Sequence, residues 1–109
     1  MNKLLTPTAF LLMVLASVSY AQSFEETKER AEQGNARAQY NLALMYVGGR
    51  GVPQNNARAY VWWSVAAAQG DNDARGNRDI VSATLTPEQL ARGQELATRC
   101  LESDYQDCE

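Results

Sequence analysis

The hydrophobic positions of this chain predict helices. From residue 23 onward, apolar side chains recur three or four positions apart, the spacing that places them on one face of an α-helix. No convincing run alternates with the period of two that marks a β-strand. The pattern predicts five helices joined by short turns, at about 23–33, 36–47, 56–69, 71–83 and 87–101. The expected fold class is therefore all-α.

Two of these helices carry the expected core. The second is apolar on two opposite sides, so we expect it to have neighbours on both sides and to form the centre of the domain. One side holds Ala38, Leu42 and Tyr46, and the other holds Ala36, Tyr40, Ala43 and Val47. The third helix presents a continuous face of alternating large and small side chains, which suits two closely crossing helices. That face consists of Ala59, Trp62, Trp63, Ala66, Ala67 and Gly70.

Local signals predict where the helices begin and end. Gly34 and Gly70 follow the first and third helices, as glycine does where a helix turns into the left-handed region. Asn55 is an expected N-cap for the third helix. Thr86 and Gln89, with a proline between them, have the spacing of a capping box before the fifth.

Residues 48–55 read GGRGVPQN and allow two interpretations. Closely spaced glycines could cradle a phosphate, or they could let the chain reverse between two helices. A phosphate loop requires a preceding strand and the spacing Gly-x-x-x-x-Gly-Lys-Ser/Thr, and the sequence has neither. We therefore predict a turn, with Gly49 and Gly51 serving the backbone and Arg50 projecting from its tip.

The first 21 residues have the features of a secretory signal peptide. Lys3 precedes an apolar segment at 9–18 in which Ser17 is the one polar residue, and Ser19 and Ala21 supply small residues before a cut. A retained anchor is the competing interpretation, although the apolar segment is short for a bilayer. Cleavage after Ala21 would leave one domain of 88 residues at 22–109, exported to the periplasm or beyond, with no stable membrane insertion.

Charge and cysteine content narrow the functional classes. The chain has a net charge of −3, which becomes −4 without Lys3. An acidic chain is a poor partner for nucleic acid, which requires clustered cations. Cys100 and Cys108 are not spaced as Cys-x-x-Cys, and in an exported chain they are expected to form one structural disulfide that ties down the acidic tail.

Catalytic residues are not evident. The chain contains no histidine, which removes the commonest general base and zinc ligand, and we predict neither an enzyme, nor a metal site, nor a cofactor. Arg50, Arg75 and Arg78 could together bind an anion. The favoured alternative is that these arginines form salt bridges with the neighbouring carboxylates of Asp71, Asp73 and Asp79.

An internal repeat accounts for most of the pattern. Gly34 and Gly70 lie 36 residues apart, each after Ala-x-Gln, and an alanine follows each at the fourth place. A period of this length with two helices per unit is typical of tetratricopeptide-like solenoids. The sequence resembles the Sel-one-like repeat family, a relative of those repeats. The positions that carry the resemblance are Gly34, Ala38, Leu42, Tyr46, Gly49, Gly51, Val52, Ala59, Trp62, Ala66, Ala67 and Gly70.

The resemblance implies a short α/α solenoid of antiparallel helix pairs. One complete repeat covers 34–69, partial or capping repeats cover 22–33 and 70–101, and a disulfide-tied tail covers 102–109. The sequence departs from the family pattern after Gly70, where Arg78 replaces a leucine and the glycine turn is missing. We expect the capped last helix and the disulfide to replace the missing stack.

The resemblance also implies a function, which is non-catalytic binding of another protein, as an adaptor in the bacterial envelope. An immunity protein that neutralises a secreted toxin is one alternative. A penicillin-binding protein with weak β-lactamase-like activity is another, although no Ser-x-x-Lys is present. Tyr40, Arg50, Tyr60 and Trp63 are the expected partner-binding residues, as side chains left partly exposed on a rigid surface. A homodimer formed through the first helix is a further expectation.

Overall fold

The computed structural model describes residues 23–109, and these residues form five helices. Helix α1 spans residues 23–32. It is followed by α2 (Ala36–Gly48), α3 (Asn56–Ala68), α4 (Asn72–Ser82) and α5 (Pro87–Glu102). The all-α prediction is confirmed, and the predicted segments agree closely with these bounds. The predicted signal peptide lies outside the described residues. None of the helices within residues 23–109 is both long and apolar enough to cross a membrane.

Side-chain caps fix the starts of the four later helices. Asn35 and Asn55 accept hydrogen bonds from the third amides of α2 and α3, and Asp71 does the same for α4. Thr86 and Gln89 form the reciprocal capping box of α5, as predicted. Each cap satisfies an amide that the helix itself leaves unpaired, so these short polar residues determine where each helix begins.

The turn between α2 and α3 reverses the chain as the sequence predicted. Gly49 caps α2 in the left-handed conformation with φ 65°, and Gly51 has φ 76°. Both angles are costly for residues that carry a Cβ atom. The amide of Asn55 then donates to the carbonyl of Tyr46 at 2.8 Å, which closes the loop onto the last turn of α2.

The core centres on α3 rather than on α2. Eight of the 13 residues of α3 are buried, and α3 packs against α2, α4 and α5. The prediction that α2 is the centre is therefore wrong. Its buried residues lie on a single arc, and on its second apolar side Val47 is 37% exposed. Periodicity identified two apolar sides, and the second is covered only in part, since Ala43 is buried there but Val47 is not.

The chain after α5 folds back onto the start of the domain. A disulfide joins Cys100 to Cys108, the pairing that the sequence suggested. The Tyr105 ring lies against Gly34, where an added Cβ atom would come within 3.0 Å of it. Gln106 donates to the carbonyl of Glu32 at 2.9 Å. Residues 103–109 thus form an ordered strap across the α1–α2 corner.

Candidate interaction surface

One face of α2 remains uncovered by the described residues. Arg37, Tyr40, Leu44 and Val47 recur at steps of three and four, so they share this face. Leu44 and Val47 are 38% and 37% exposed, and Tyr40 is half-buried beside them. We call these four residues the α2 stripe. It offers apolar and aromatic contact area on a rigid helix, which is what a protein-binding surface requires.

Contacts with α4 hold the N-terminal half of the stripe in place. The Arg37 guanidinium stacks 4.0 Å from the centre of the Tyr40 ring, a cation–π arrangement. Arg37 also lies 3.4 Å from the carboxylates of both Asp71 and Asp73. Asn77 donates to the Tyr40 hydroxyl at 3.4 Å. Tyr40 is therefore partly exposed and also pre-oriented, which lowers the entropic cost of using it as an anchor.

Arg50 lies at the exposed tip of the turn that follows α2. Its backbone amide donates to the carbonyl of Met45 at 2.9 Å, which fixes the base of the side chain. Within residues 23–109, no carboxylate lies within 4.0 Å of its guanidinium, nor of the Arg75 guanidinium. The expected pairing with aspartates therefore holds only for Arg78, which is 2.9 Å from Asp79.

Two of the expected contact residues are inside the protein. Tyr60 is 7% exposed and Trp63 is 4% exposed, so the prediction that they stay partly exposed is wrong. Tyr60 is covered by α5, where Gly93 allows the ring to approach the helix backbone. Trp63 packs against Tyr40, with ring centroids 6.4 Å apart. The four residues therefore do not form one surface, and only Tyr40 and Arg50 are accessible to a partner.

A charged cluster that the sequence did not suggest lies where the C-terminal end of α2 meets α1 and α3. The Glu109 carboxylate, whose side chain is only 14% exposed, lies 3.1 Å from the Lys28 ammonium and 3.3 Å from the Arg58 guanidinium. The Tyr46 hydroxyl donates to the same carboxylate. We call Lys28, Tyr46, Arg58 and Glu109 the Glu109 cluster. Its members are up to 81 positions apart in the chain, so no local motif could reveal it.

The environment of Tyr46 disfavours its ionised form. Burial raises the pKa of the Tyr46 phenol far above its ordinary value of 10.0, and the hydrogen bond to Glu109 and the charge of that carboxylate raise it further. Arg58, whose guanidinium is 5.8 Å from the centre of the ring, opposes this in part. Tyr46 therefore remains a neutral donor to the carboxylate.

Gln39 is a second residue that the sequence did not single out. It is fully buried, and its amide nitrogen donates to the carbonyl of Ala31 at 3.0 Å. Gln69 donates to the Gln39 side-chain oxygen at 2.8 Å and to the carbonyl of Gly34 at 3.1 Å. The two glutamines thus connect the end of α1 to α2 and α3.

The positions that carry the repeat resemblance have distinct structural roles. Four of them are glycines that adopt positive φ angles at helix ends or in the α2–α3 turn: Gly34, Gly49, Gly51 and Gly70. Seven others are buried between the helices: Ala38, Leu42, Tyr46, Ala59, Trp62, Ala66 and Ala67. Val52 is partly buried and packs against the core. Residues 36–71 match the family model described as the Sel1 repeat. This segment is therefore similar to a Sel1 repeat. Such repeats generally mediate protein–protein interaction.

A relative supports the same assignment. The alginate biosynthesis protein AlgK of Azotobacter vinelandii is 36% identical to this chain over 66 residues, which is 61% of this chain. The aligned region is 14% of AlgK, so this chain corresponds to only a small part of that protein. No solved structure gives a significant match to the chain.

Proposed function

We propose that this protein is a non-catalytic binding module of the bacterial envelope, and that a partner protein binds to its α2 stripe. The observation that carries the proposal is the uncovered face of α2, which combines two exposed aliphatic side chains with the oriented Tyr40–Arg37 pair. Within a Sel1 repeat, this face belongs to the first helix of the pair.

The stripe favours a partner of particular chemistry. Leu44 and Val47 suit an apolar side chain, since burying their exposed area would be favourable. Arg50, at the end of the same helix, suits a carboxylate on that partner through charge-assisted hydrogen bonds. The name of the relative links it to alginate biosynthesis, which makes the assemblies that produce alginate the first place to search for the partner.

Photo-crosslinking from single positions tests the binding surface. A photoreactive amino acid at Leu44 should capture a discrete partner in the native cell. The same group at Glu95, an exposed position on α5, should not capture that partner. Adding Val47→Asp should abolish capture from Leu44 while the protein remains folded by circular dichroism. Identical products from positions 44 and 95, or capture that survives Val47→Asp, would disprove the proposal.

Export is tested separately by intact-mass measurement of the protein recovered from cells. We expect the mass of residues 22–109 in the periplasmic fraction. The mass of the uncleaved chain in that fraction would support a retained anchor instead.

A further inference from the structure

A groove between α3 and α5 has features that the proposed function does not use. It encloses about 360 Å³, and apolar side chains of Ala57, Val61 and Leu96 line it. Arg58 and Arg92 also line it, one from each helix. No residue that lines this groove lies on α2. It is therefore distinct from the α2 stripe, and the two surfaces can be tested independently.

Both arginines are suited to bind carboxylates, and one already does so. Arg58 binds the Glu109 side chain at 3.3 Å, so one arginine of the groove is already paired with an acid of this chain, although Glu109 does not itself line the groove. Arg92 is exposed, and no carboxylate of residues 23–109 lies within 4.0 Å of it. The groove thus combines an apolar lining, one arginine that is paired with an acid and one arginine that is free to accept another.

We propose that this groove binds an acidic segment of a partner protein, and that Glu109 competes with that segment for Arg58. A partner carboxylate would replace Glu109 on Arg58, a neighbouring apolar side chain would contact Val61 and Leu96, and a second carboxylate would pair with Arg92. The complementarity of charge makes an acidic segment the favoured occupant over a basic or neutral one. Glu109 then limits how readily Arg58 can pair with a partner, although no residue of the strap lines the groove.

Fluorescence anisotropy with a defined peptide tests this proposal. The probe is a fluorescein-labelled hexapeptide of alternating glutamate and leucine, and the control replaces each glutamate with glutamine. Glu109→Gln keeps a side-chain carbonyl for the Tyr46 hydroxyl but removes the competing charge, so it should tighten binding about threefold or more. Arg92→Gln should weaken binding about 2- to 5-fold, the range for one exposed ion pair. Arg75→Gln, an exposed arginine on α4, should change nothing.

Several results would overturn the proposal. These are equal binding of the glutamine peptide, no gain from Glu109→Gln, or the same effect from Arg92→Gln and Arg75→Gln. If Glu109→Gln fails to fold, the proposal is tested by NMR on the wild-type protein. The amide resonance of Gly93 must then shift when the glutamate peptide is added, and an unchanged resonance would reject the proposal. Dimerisation of Glu109→Gln that Arg92→Gln prevents would identify a second copy as the occupant and reject a separate partner. Val47→Asp on α2 should leave peptide binding unchanged, so this test does not depend on the proposed function.

Discussion

At the scale of single residues, Tyr46 connects the first helix to the strap. Its ring packs edge-to-face on Phe24 of α1, with centroids 5.6 Å apart, and its hydroxyl donates to Glu109. A residue that the repeat pattern identifies as packing therefore also anchors a carboxylate. Its raised pKa makes this arrangement measurable through the pH dependence of stability.

The first prediction concerns alkaline unfolding. Because the pKa of Tyr46 is higher in the folded protein than its ordinary value of 10.0, unfolding releases a proton above that pH. The stabilising contribution is fully present below pH 10, and above it the free energy of unfolding should fall by about 1.4 kcal/mol per pH unit. Tyr46→Phe should be less stable by about 1 kcal/mol at pH 7 but should lose this slope. Urea denaturation between pH 8 and pH 11.5 measures both effects.

Tyr40→Phe is the matched control for this prediction. It removes a phenol from the α2 stripe without touching the Glu109 cluster, so the alkaline slope should remain. A slope that persists in Tyr46→Phe would mean that another group is responsible for it.

The second prediction concerns the buried amide of Gln39. Gln39→Leu leaves the carbonyl of Ala31 without this donor and the amide of Gln69 without this acceptor. Leaving buried polar groups unpaired costs about 1–3 kcal/mol, so the free energy of unfolding should fall by that amount despite the added apolar surface. Chemical denaturation measures it. Gln94→Leu, at an exposed position on α5, should stay within about 0.5 kcal/mol of the wild type, and equal stability of the two variants would contradict the prediction.

Sequence reasoning is effective at this scale only where the signal is local. Trp62 and Leu42 could be assigned to the core because apolar residues recur at helical steps, and both are fully buried. Gln39 could not be, since a glutamine on a helix usually faces water, and its two partners, Ala31 and Gln69, come from distant parts of the chain. Glu109 is still harder to predict, because its cations belong to α1 and α3.

At the scale of the helices, close packing of α5 on α3 depends on one small residue. Gly93 is buried, and a Cβ atom there would lie 2.8 Å from the Tyr60 ring. This contact explains why Tyr60 is buried although the sequence suggested that it was accessible. It also explains the glycine in the middle of a helix, where an alanine would otherwise be favoured.

The third prediction compares two glycines that both lie inside helices. Gly93→Ala should destabilise the protein by about 1–3 kcal/mol, because overpacking against Tyr60 outweighs the gain in helix propensity. Gly76→Ala on α4 meets no atom within 4 Å, so it should stabilise the protein by about 0.5–1 kcal/mol. Thermal and urea unfolding of both variants test the pair. A stabilising Gly93→Ala would mean that Tyr60 moves aside without cost.

The sequence indicated the ends of the helices better than their neighbours. Caps are local, so Asn55 and Thr86 could be recognised from residues within one turn of them. Which helix is central depends on contacts between distant segments. The apolar face of α3 was recognised, with Tyr60 at its edge. That Gly93 of α5 covers Tyr60 depends on a contact between distant segments, which the sequence alone does not reveal.

At the scale of the whole molecule, the strap replaces packing that a longer solenoid would obtain from further repeats. Solenoids generally require about three units to bury a continuous core, and here one Sel1 repeat is matched at 36–71. Residues 103–109 cover the α1–α2 corner through Tyr105, Gln106 and Glu109. The disulfide keeps that short segment close to α5, so the contacts of Glu109 with α1 and α3 form within one connected unit.

The last prediction separates the disulfide from the contacts that it supports. Reduction should lower the free energy of unfolding by roughly 2.6 kcal/mol, the chain-entropy value for a loop of about nine residues. It should also speed amide hydrogen exchange in α1, since Lys28 and the carbonyl of Glu32 depend on the strap. Exchange in α4, which has no strap contact of this kind, should change only with global stability. Cys100→Ala/Cys108→Ala should behave like the reduced protein and should not respond to reductant. The comparison must use amides that exchange by local opening, with an opening free energy well below that of global unfolding. If such amides in α1 and α4 lose protection equally on reduction, the strap does not hold α1. The disulfide would then stabilise the protein only through its effect on the unfolded chain.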